Sequence, residues 1–178
     1  SRFAPPSAGA CSSFRNGNWY CRNYDWLYND TAEFVIRMSA ADGRHGSIGV
    51  AAMPISEINE EMAKSGAWNE LYKVLPHIML DGVNDAGVFA NINVVHKNGR
   101  EDAEWIGKEC CALGAIREIL DRFDNAEDAA HWVETSVYMP KNFVERTKYS
   151  LHFMIGDKNE TWIVEDGKAH KLLTGQAP

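Results

Sequence analysis

Cys11 and Arg22 are two residues near the start of the chain whose types and spacing could do chemistry together. Asn16-Gly17 lies between two runs of polar and apolar residues. This is a strong short-range signal for a β-hairpin, because both central residues of a type I′ turn need positive φ. A two-residue turn at this position pairs Cys11 with Arg22 across the strands, where Cβ atoms lie roughly 4.5–5.5 Å apart. A guanidinium beside a thiol favours the thiolate, the nucleophilic form of cysteine, so Cys11 is a candidate reaction centre.

Asp25 comes three positions after Arg22. In the predicted hairpin it therefore lies opposite the part of the first strand that precedes Cys11. If the chain were cut before Cys11, a carboxylate there could orient the new α-ammonium group. An α-amine has a pKa of roughly 7.7–8.0, which suits a general base at neutral pH. Thiol and amine on one residue would then supply nucleophile and base together. We therefore predict that residues 1–10, which end in the small pair Gly9-Ala10, are a propeptide and that 11–178 form one domain.

The composition argues against several classes of protein. The 178 residues carry a formal net charge of −7, whereas nucleic-acid binding needs clustered Lys and Arg. No run approaches the roughly 18–20 apolar residues of a membrane span, and residues 1–10 lack the apolar core of a signal peptide. The 6 histidines show no ligand spacing, so no metal or other cofactor is predicted. We expect a cytoplasmic protein whose 4 cysteines form no disulfide scaffold.

The hydrophobic pattern predicts an α+β domain with strands, then helices, then strands again. Residues 103–123 are predicted to form the clearest helix, with the adjacent Cys110 and Cys111 filling its core side. Residues 81–87 are predicted to form a loop in which Asn84 and Asp85 serve as turn residues. The remaining predicted elements are strands at 33–38, 46–53, 88–95, 149–155, 161–164 and 169–173, and helices at 56–74 and 126–137.

Four motifs follow one another along the chain: Cys11-Ser-Ser-Phe, then Arg22-Asn-Tyr-Asp25-Trp, then Asp81-Gly-Val-Asn-Asp-Ala-Gly87, and finally Leu151-His-Phe-Met-Ile-Gly-Asp157 with Trp162-Ile-Val-Glu165 after it. In order and spacing, they resemble the motifs of the linear amide C–N hydrolases. This is the group of choloylglycine hydrolase and penicillin V acylase, with acid ceramidase as a more distant relative. The resemblance covers nearly all of residues 11–173.

This resemblance implies an N-terminal-nucleophile αββα sandwich, of which the present chain forms only a part. Cys11 would be the nucleophile, and Arg22 would support its thiolate and the bound substrate. Asp25 would hold the free α-amine, and the backbone of Asn93 or Val94 would donate to the oxyanion. The implied reaction is cofactor-free hydrolysis of the C–N bond of a small linear N-acyl amide through a thioester. Conjugated bile acids, penicillin V and N-acyl amino acids are the implied substrate types.

Departures from the family pattern leave alternatives open. Cys21 stands where the family usually has glycine. Thr174-Gly175 stands near the place of an oxyanion-hole asparagine, which would otherwise lie beyond Pro178. The chain could instead be an uncleaved precursor or one part of an assembly, either a homo-oligomer or a complex with a C-terminal portion of the same protein. Acyl transfer through the same thioester is a further alternative.

Aromatic residues cluster around the predicted hairpin, namely Trp19, Tyr20, Tyr24 and Trp26. They could pack between the strands, or they could form an aromatic wall that receives the acyl group of a substrate. Alternate residues of one hairpin can do both, so the sequence favours neither interpretation.

Overall fold

The computed structural model of the chain describes residues 11–23, 31–54, 68–96, 105–140 and 149–173. Its strands are β1 (Ser12–Asn16), β2 (Trp19–Asn23), β3 (Thr31–Met38), β4 (Ser47–Pro54), β5 (Met79–Asn84), β6 (Phe89–His96), β7 (Cys110–Cys111), β8 (Val137–Tyr138), β9 (Tyr149–Gly156), β10 (Thr161–Glu165) and β11 (Lys168–Lys171). Its helices are α1 (Trp68–Val74), α2 (Ala115–Arg122) and α3 (Ala126–Ser136), with 3-10 turns at Leu75–His77 and Ala112–Gly114. No helix in the described part of the chain is long and apolar enough to cross a membrane.

Seven strands form one antiparallel sheet in the order β11-β10-β9-β6-β5-β4-β3. Strand β6 lies at the centre of the sheet, and its residues show that one face of the sheet is apolar and the other is polar. Side chains alternate along a strand, so Ala90 and Ile92 point to one face while Asn91 and Asn93 point to the other. Ala90 and Ile92 are buried in the main apolar core, and both asparagines are buried in a polar layer.

Helices α2 and α3 cover the apolar face of this sheet. Ile119 and Leu120 of α2 are fully buried against it. Gly82 of β5 allows this close packing, because a Cβ built there would lie 2.5 Å from Leu120 Cδ1. Helix α3 begins after Asn125, whose side chain accepts a hydrogen bond from the Asp128 backbone N–H at 2.9 Å.

The hairpin β1–β2 covers part of the opposite face. Tyr20 of β2 stacks on Phe89 of β6 with ring centroids 4.7 Å apart, and its hydroxyl donates to the Asp157 carbonyl at 2.7 Å. The Tyr20 ring lies directly on Gly156, where any Cβ would overlap it. The described residues therefore form helix, sheet and hairpin layers, in agreement with the predicted α+β class and with part of an αββα sandwich.

Most predicted elements are confirmed to within a few residues. The six strands predicted from 33–38 to 169–173 correspond to β3, β4, β6, β9, β10 and β11, and the helix predicted at 126–137 is α3. Of the helix predicted at 56–74, the part at 68–74 is α1, and 56–67 lies outside the described residues. The loop predicted at 81–87 is shorter than expected, since β5 continues to Asn84.

The predicted hairpin register is wrong. Arg22 pairs with Ser13, not with Cys11, and Asn16 pairs with Trp19. The central turn residues are therefore 17 and 18 rather than 16 and 17. Gly17 has φ 61° and its successor does not share the positive φ, which is the pattern of a type II′ turn with glycine at the first central position. The Asn-Gly pair correctly located the hairpin but placed its turn one residue early.

The helix predicted at 103–123 is wrong over residues 105–114, and residues 103–104 lie outside the described part of the chain. Cys110 and Cys111 form β7, which runs parallel to β8, and α2 begins only at Ala115. Gly107 explains the difference, because it lies so close to the end of α3 that a Cβ would overlap the backbone of Val137. Contact with α3 thus overrides the helical spacing of this segment. Both cysteines are half-buried, and Cys110 packs against the main apolar core, in agreement with its predicted packing role.

Candidate active site

The guanidinium of Arg22 is the centre of the candidate site. It reaches from β2 to the large sheet, where Nη1 donates to Asp81 Oδ2 at 3.2 Å and Nη2 donates to the Ile92 carbonyl at 2.8 Å. Its Nε donates to Asn93 Oδ1 at 3.3 Å. The Arg22 side chain is only 7% exposed. Acceptors from β5 and β6 therefore hold the planar fork in one orientation.

Cys11 lies at the edge of this cluster, with its Sγ 3.9 Å from Arg22 Nη2. The predicted contact is present although the predicted cross-strand pair is not. Arg22 pairs with Ser13 across the hairpin. Cys11 precedes Ser13 by two positions, so the side chains of Cys11, Ser13 and Arg22 all point to the same face of the hairpin. Cys11 as a residue is half-buried.

A buried polar network fixes the strand that follows Cys11. Asn91 and Asn93 both donate from their Nδ2 atoms to Ser13 Oγ, at 2.7 and 2.8 Å. Asn93 Nδ2 also contacts Asn91 Oδ1 at 3.0 Å. All three side chains are buried, so each amide needs these partners to avoid an unpaired polar group. The network therefore sets the position of β1 on β6.

Asn93 joins the site through its side chain, whereas the proposed backbone donation from Asn93 or Val94 to an oxyanion remains a prediction. Asn93 pairs with His152 across β6 and β9, which places His152 on the same face of the sheet. Burial lowers the pKa of His152, and the charge of Glu165 opposes that shift. Burial therefore favours the neutral imidazole of His152.

Asp25, the predicted partner of the α-amine, lies outside the described residues, as do residues 1–10. Asp81 is a site residue that sequence reasoning missed, because it was assigned to a loop. It pairs with Asn91 across β5 and β6, and this register places it on the face of the hairpin. A prediction that continued β5 through Asp81 and Gly82 would have placed the Asp81 carboxylate on the face of the hairpin. A buried arginine needs an acceptor of opposite charge, and Asp81 would then have been a candidate partner for Arg22.

Cys21 and Cys110 lie in surroundings that differ from those of Cys11. Cys21 pairs with Phe14 on the outer side of the hairpin, away from the sheet. Burial, and to a lesser degree the neighbouring charge of Glu118, raise the pKa of Cys110 to about 11. Cys110 is therefore a protonated, unreactive thiol at neutral pH.

The two described aromatic residues of the hairpin that were considered for substrate contact lie in different surroundings. Tyr20 packs between the hairpin and the sheet, and burial raises the pKa of its phenol. Trp19 is 77% exposed at the hairpin tip, at the opposite end from Cys11. Tyr24 and Trp26 lie outside the described residues.

Asn84 has a structural role, as predicted. Its Nδ2 donates to the carbonyls of Leu120 and Phe123 at 3.1 and 2.8 Å. Its Oδ1 accepts from the Val88 N–H at 2.8 Å. It therefore ties the β5–β6 turn to the end of α2, on the face away from Cys11.

No protein-family model matches the sequence, and no curated protein matches it. Among solved structures, the chain is similar to penicillin V acylase from Agrobacterium tumefaciens, with 19% identity and a TM-score of 0.47 over 92% of this chain and 49% of that one. It is also similar to a variant of conjugated bile acid hydrolase from Clostridium perfringens, with 10% identity and a TM-score of 0.49 over 92% and 50% of the two chains.

The chain thus spans about half the length of the solved structures it matches. Penicillin V acylase and bile acid hydrolase are also the two kinds of enzyme that the motifs of the sequence resemble.

Proposed function

We propose that the chain carries the nucleophile of a cysteine amide hydrolase that cleaves the C–N bond of a linear N-acyl amide. The observation that carries this proposal is the Arg22 guanidinium held 3.9 Å from the Cys11 sulfur. A fixed positive charge beside a half-buried thiol is the environment of a reactive cysteine. The substrates named by the structural neighbours, penicillin V and conjugated bile acids, supply the first amides to test.

The chemistry proceeds in two stages. The Cys11 thiolate attacks the amide carbonyl carbon, a C–S bond forms, and the carbonyl electrons move to oxygen. The oxyanion then collapses, the C–N bond breaks, and the leaving amine takes a proton. Water attacks the resulting thioester, the C–S bond breaks, and the free acid leaves as the thiol is restored.

The general base in this proposal is the α-amine of Cys11 itself, which exists only after residues 1–10 are removed. Its ordinary pKa of roughly 7.7–8.0 allows it to accept the thiol proton and pass it to the leaving amine. Asp25 would orient this amine. The backbone N–H of Asn93 or Val94 would donate to the oxyanion.

Acylation of Cys11 by a phenoxyacetyl group tests the proposal. The intact mass of the purified chain first shows whether residues 1–10 are removed, and a chain beginning at Cys11 is prepared for comparison. Both are mixed with p-nitrophenyl phenoxyacetate, whose leaving group needs little help from the protein. We expect a stoichiometric burst of nitrophenolate and a phenoxyacetyl thioester at Cys11, located by peptide mass spectrometry. Release of 6-aminopenicillanic acid from penicillin V then tests amide cleavage.

Cys21→Ser is the matched control, because it removes a thiol on the same hairpin that faces away from Arg22. It should keep the burst, whereas Cys11→Ala should abolish it. An equal burst in Cys11→Ala and wild type, or an acyl group found on Cys21 instead, would exclude Cys11 as the nucleophile.

A second candidate function, as one part of an assembly, is favoured by an apolar surface that the hairpin leaves uncovered. Val35, Ile48 and Val83 are 73%, 49% and 38% exposed on strands β3 to β5. They share a face with the hairpin, since Ile48 pairs with Val83 and Val83 pairs with Phe89. If another polypeptide covers this face, the chain alone should self-associate during sedimentation, and Val35→Lys should reduce this. A monomer at all concentrations would count against this function.

A further inference from the structure

We infer that Asp81 is the positioning residue of the site: it holds the Arg22 guanidinium so that Nη2 faces the sulfur of Cys11. The inference rests on the proposed function in taking Cys11 as the reacting group. Neither the hairpin alone nor Cys11 determines where the Arg22 guanidinium lies, so its position depends on the contact with Asp81.

The geometry of the fork supports this role. Asp81 engages Nη1, whereas the Ile92 carbonyl and the Cys11 sulfur both lie at Nη2. Asp81 is a charged acceptor on β5, whereas Ile92 and Asn93, which also accept from Arg22, lie on β6. An arginine held by acceptors on two strands cannot swing about one of them. The β5 contact therefore fixes the direction of the fork.

Burial makes this contact consequential. The side chains of Arg22 and Asp81 are 7% and 22% exposed. When the Asp81 carboxylate is removed, the buried guanidinium loses both a compensating charge and the acceptor that holds Nη1, so the fork turns away from its present position. When it moves, the sulfur of Cys11 loses the positive neighbour 3.9 Å away.

Two possible roles of Asp81, as a negative charge or as the residue that positions Arg22, predict opposite changes in the reactivity of Cys11 when its side chain is removed. If only its negative charge mattered, removing the charge would make Cys11 more reactive, because a carboxylate near a thiolate is unfavourable. If it positions Arg22, removing the whole side chain makes Cys11 less reactive. Asp81→Asn removes the charge but keeps an oxygen that can accept from Nη1, whereas Asp81→Ala removes both.

The rate of alkylation by iodoacetamide, resolved for each cysteine by peptide mass spectrometry, tests the inference across pH 6 to 9, a range that brackets the ordinary titration of a thiol near roughly 8.5. We expect Arg22→Ala and Asp81→Ala each to slow alkylation of Cys11 by about tenfold at neutral pH, and Asp81→Asn to keep most of the wild-type rate. The double variant should be no slower than Arg22→Ala, since Asp81 acts through Arg22. Cys21 is the internal reference, and Asp85→Ala, which removes a carboxylate paired with His45, is the matched control.

Thermal unfolding is measured for every variant, and Arg22→Lys replaces Arg22→Ala if the latter does not fold. The inference would be overturned if Cys11 in Asp81→Ala were alkylated at the wild-type rate. It would also be overturned if the slowing in the double variant equalled the product of the slowing in Asp81→Ala and in Arg22→Ala, because the two residues would then act independently. Alkylation needs no amide substrate. Slowed alkylation in Asp81→Ala without any phenoxyacetyl adduct would leave the positioning role intact while the proposed hydrolase function fails.

Discussion

At the scale of the residue, Asp157 shows how one carboxylate joins two elements. Its Oδ2 accepts from the Ala126 N–H at 2.8 Å, and its Oδ1 accepts from the N–H groups of Asn159 and Glu160 at 2.7 and 3.0 Å. Burial alone would raise the pKa of Asp157, but these backbone donors outweigh it and the pKa lies below the ordinary value. The ionised carboxylate thus connects the β9–β10 turn to the start of α3.

Asp157→Asn should lower the free energy of unfolding at neutral pH by about 1.5–3 kcal/mol, the range for hydrogen bonds to a charged group. A carboxylate whose folded pKa is depressed adds stability above its unfolded value of 3.8, and that stability is lost as pH falls through the folded pKa. The difference between wild type and variant in chemical denaturation should therefore shrink below about pH 4. Asp128→Asn, on the exposed first turn of α3, is the control. A difference that stays constant with pH would contradict this account.

At the scale of the element, the hairpin has two sides with different tasks. The residues Ser13, Arg15, Tyr20 and Arg22 contact the large sheet or the β9–β10 turn. Phe14 and Trp19, on the alternate positions, are exposed. The docking of the hairpin on the sheet depends on Gly156, the glycine that leaves room for the Tyr20 ring.

Gly156→Ala should displace the hairpin, because its Cβ would overlap the Tyr20 ring. We expect a loss of about 1–3 kcal/mol in the free energy of unfolding, as for other overpacked sites. Alkylation of Cys11 should also slow, since Arg22 moves with the hairpin. Gly114→Ala is the matched control, because a Cβ there meets only ordinary contacts at 3.6 and 3.8 Å. If both alanine variants behave alike, the docking role of Gly156 is wrong.

At the scale of the whole molecule, the helix layer and the hairpin layer are held to the same sheet by different chemistry. Apolar packing dominates on the helix side, where Asn84 adds hydrogen bonds to the end of α2. Polar contacts dominate on the hairpin side, through Arg22 and the buried asparagines. Stability and site geometry can therefore be changed separately.

Asn84→Ala should lower the free energy of unfolding by about 2–3 kcal/mol, because it leaves buried carbonyl groups without donors. Alkylation of Cys11 should stay at the wild-type rate, since Asn84 faces the helices. The exposed Asn159→Ala serves as the control for both measurements. A strong loss of Cys11 reactivity in a folded Asn84→Ala variant would show that the two layers are coupled.

The sequence was sufficient to predict the strands and helices whose hydrophobic pattern is local. It was insufficient where contacts with segments far along the chain determine the local structure. It predicted the Cys11–Arg22 contact from a wrong register, and the contact survives because the true register differs by two residues and so keeps the same faces. It missed Asp81 and the strand at Cys110 because both depend on neighbours far along the chain. Nothing local in residues 105–111 reveals that Gly107 lies against α3.

The partners that hold Arg22 also set the time at which the site appears during folding. Asp81, Ile92 and Asn93 are 59, 70 and 71 residues from Arg22 along the chain. A hairpin closes in about 1–10 μs, whereas contacts between distant residues form later because they must first close long loops. A nascent or partly folded chain therefore lacks the contact between Arg22 and Cys11. The cysteine gains its cationic neighbour only when β5 and β6 have paired, so the contact between Cys11 and Arg22 reports that the central sheet is complete.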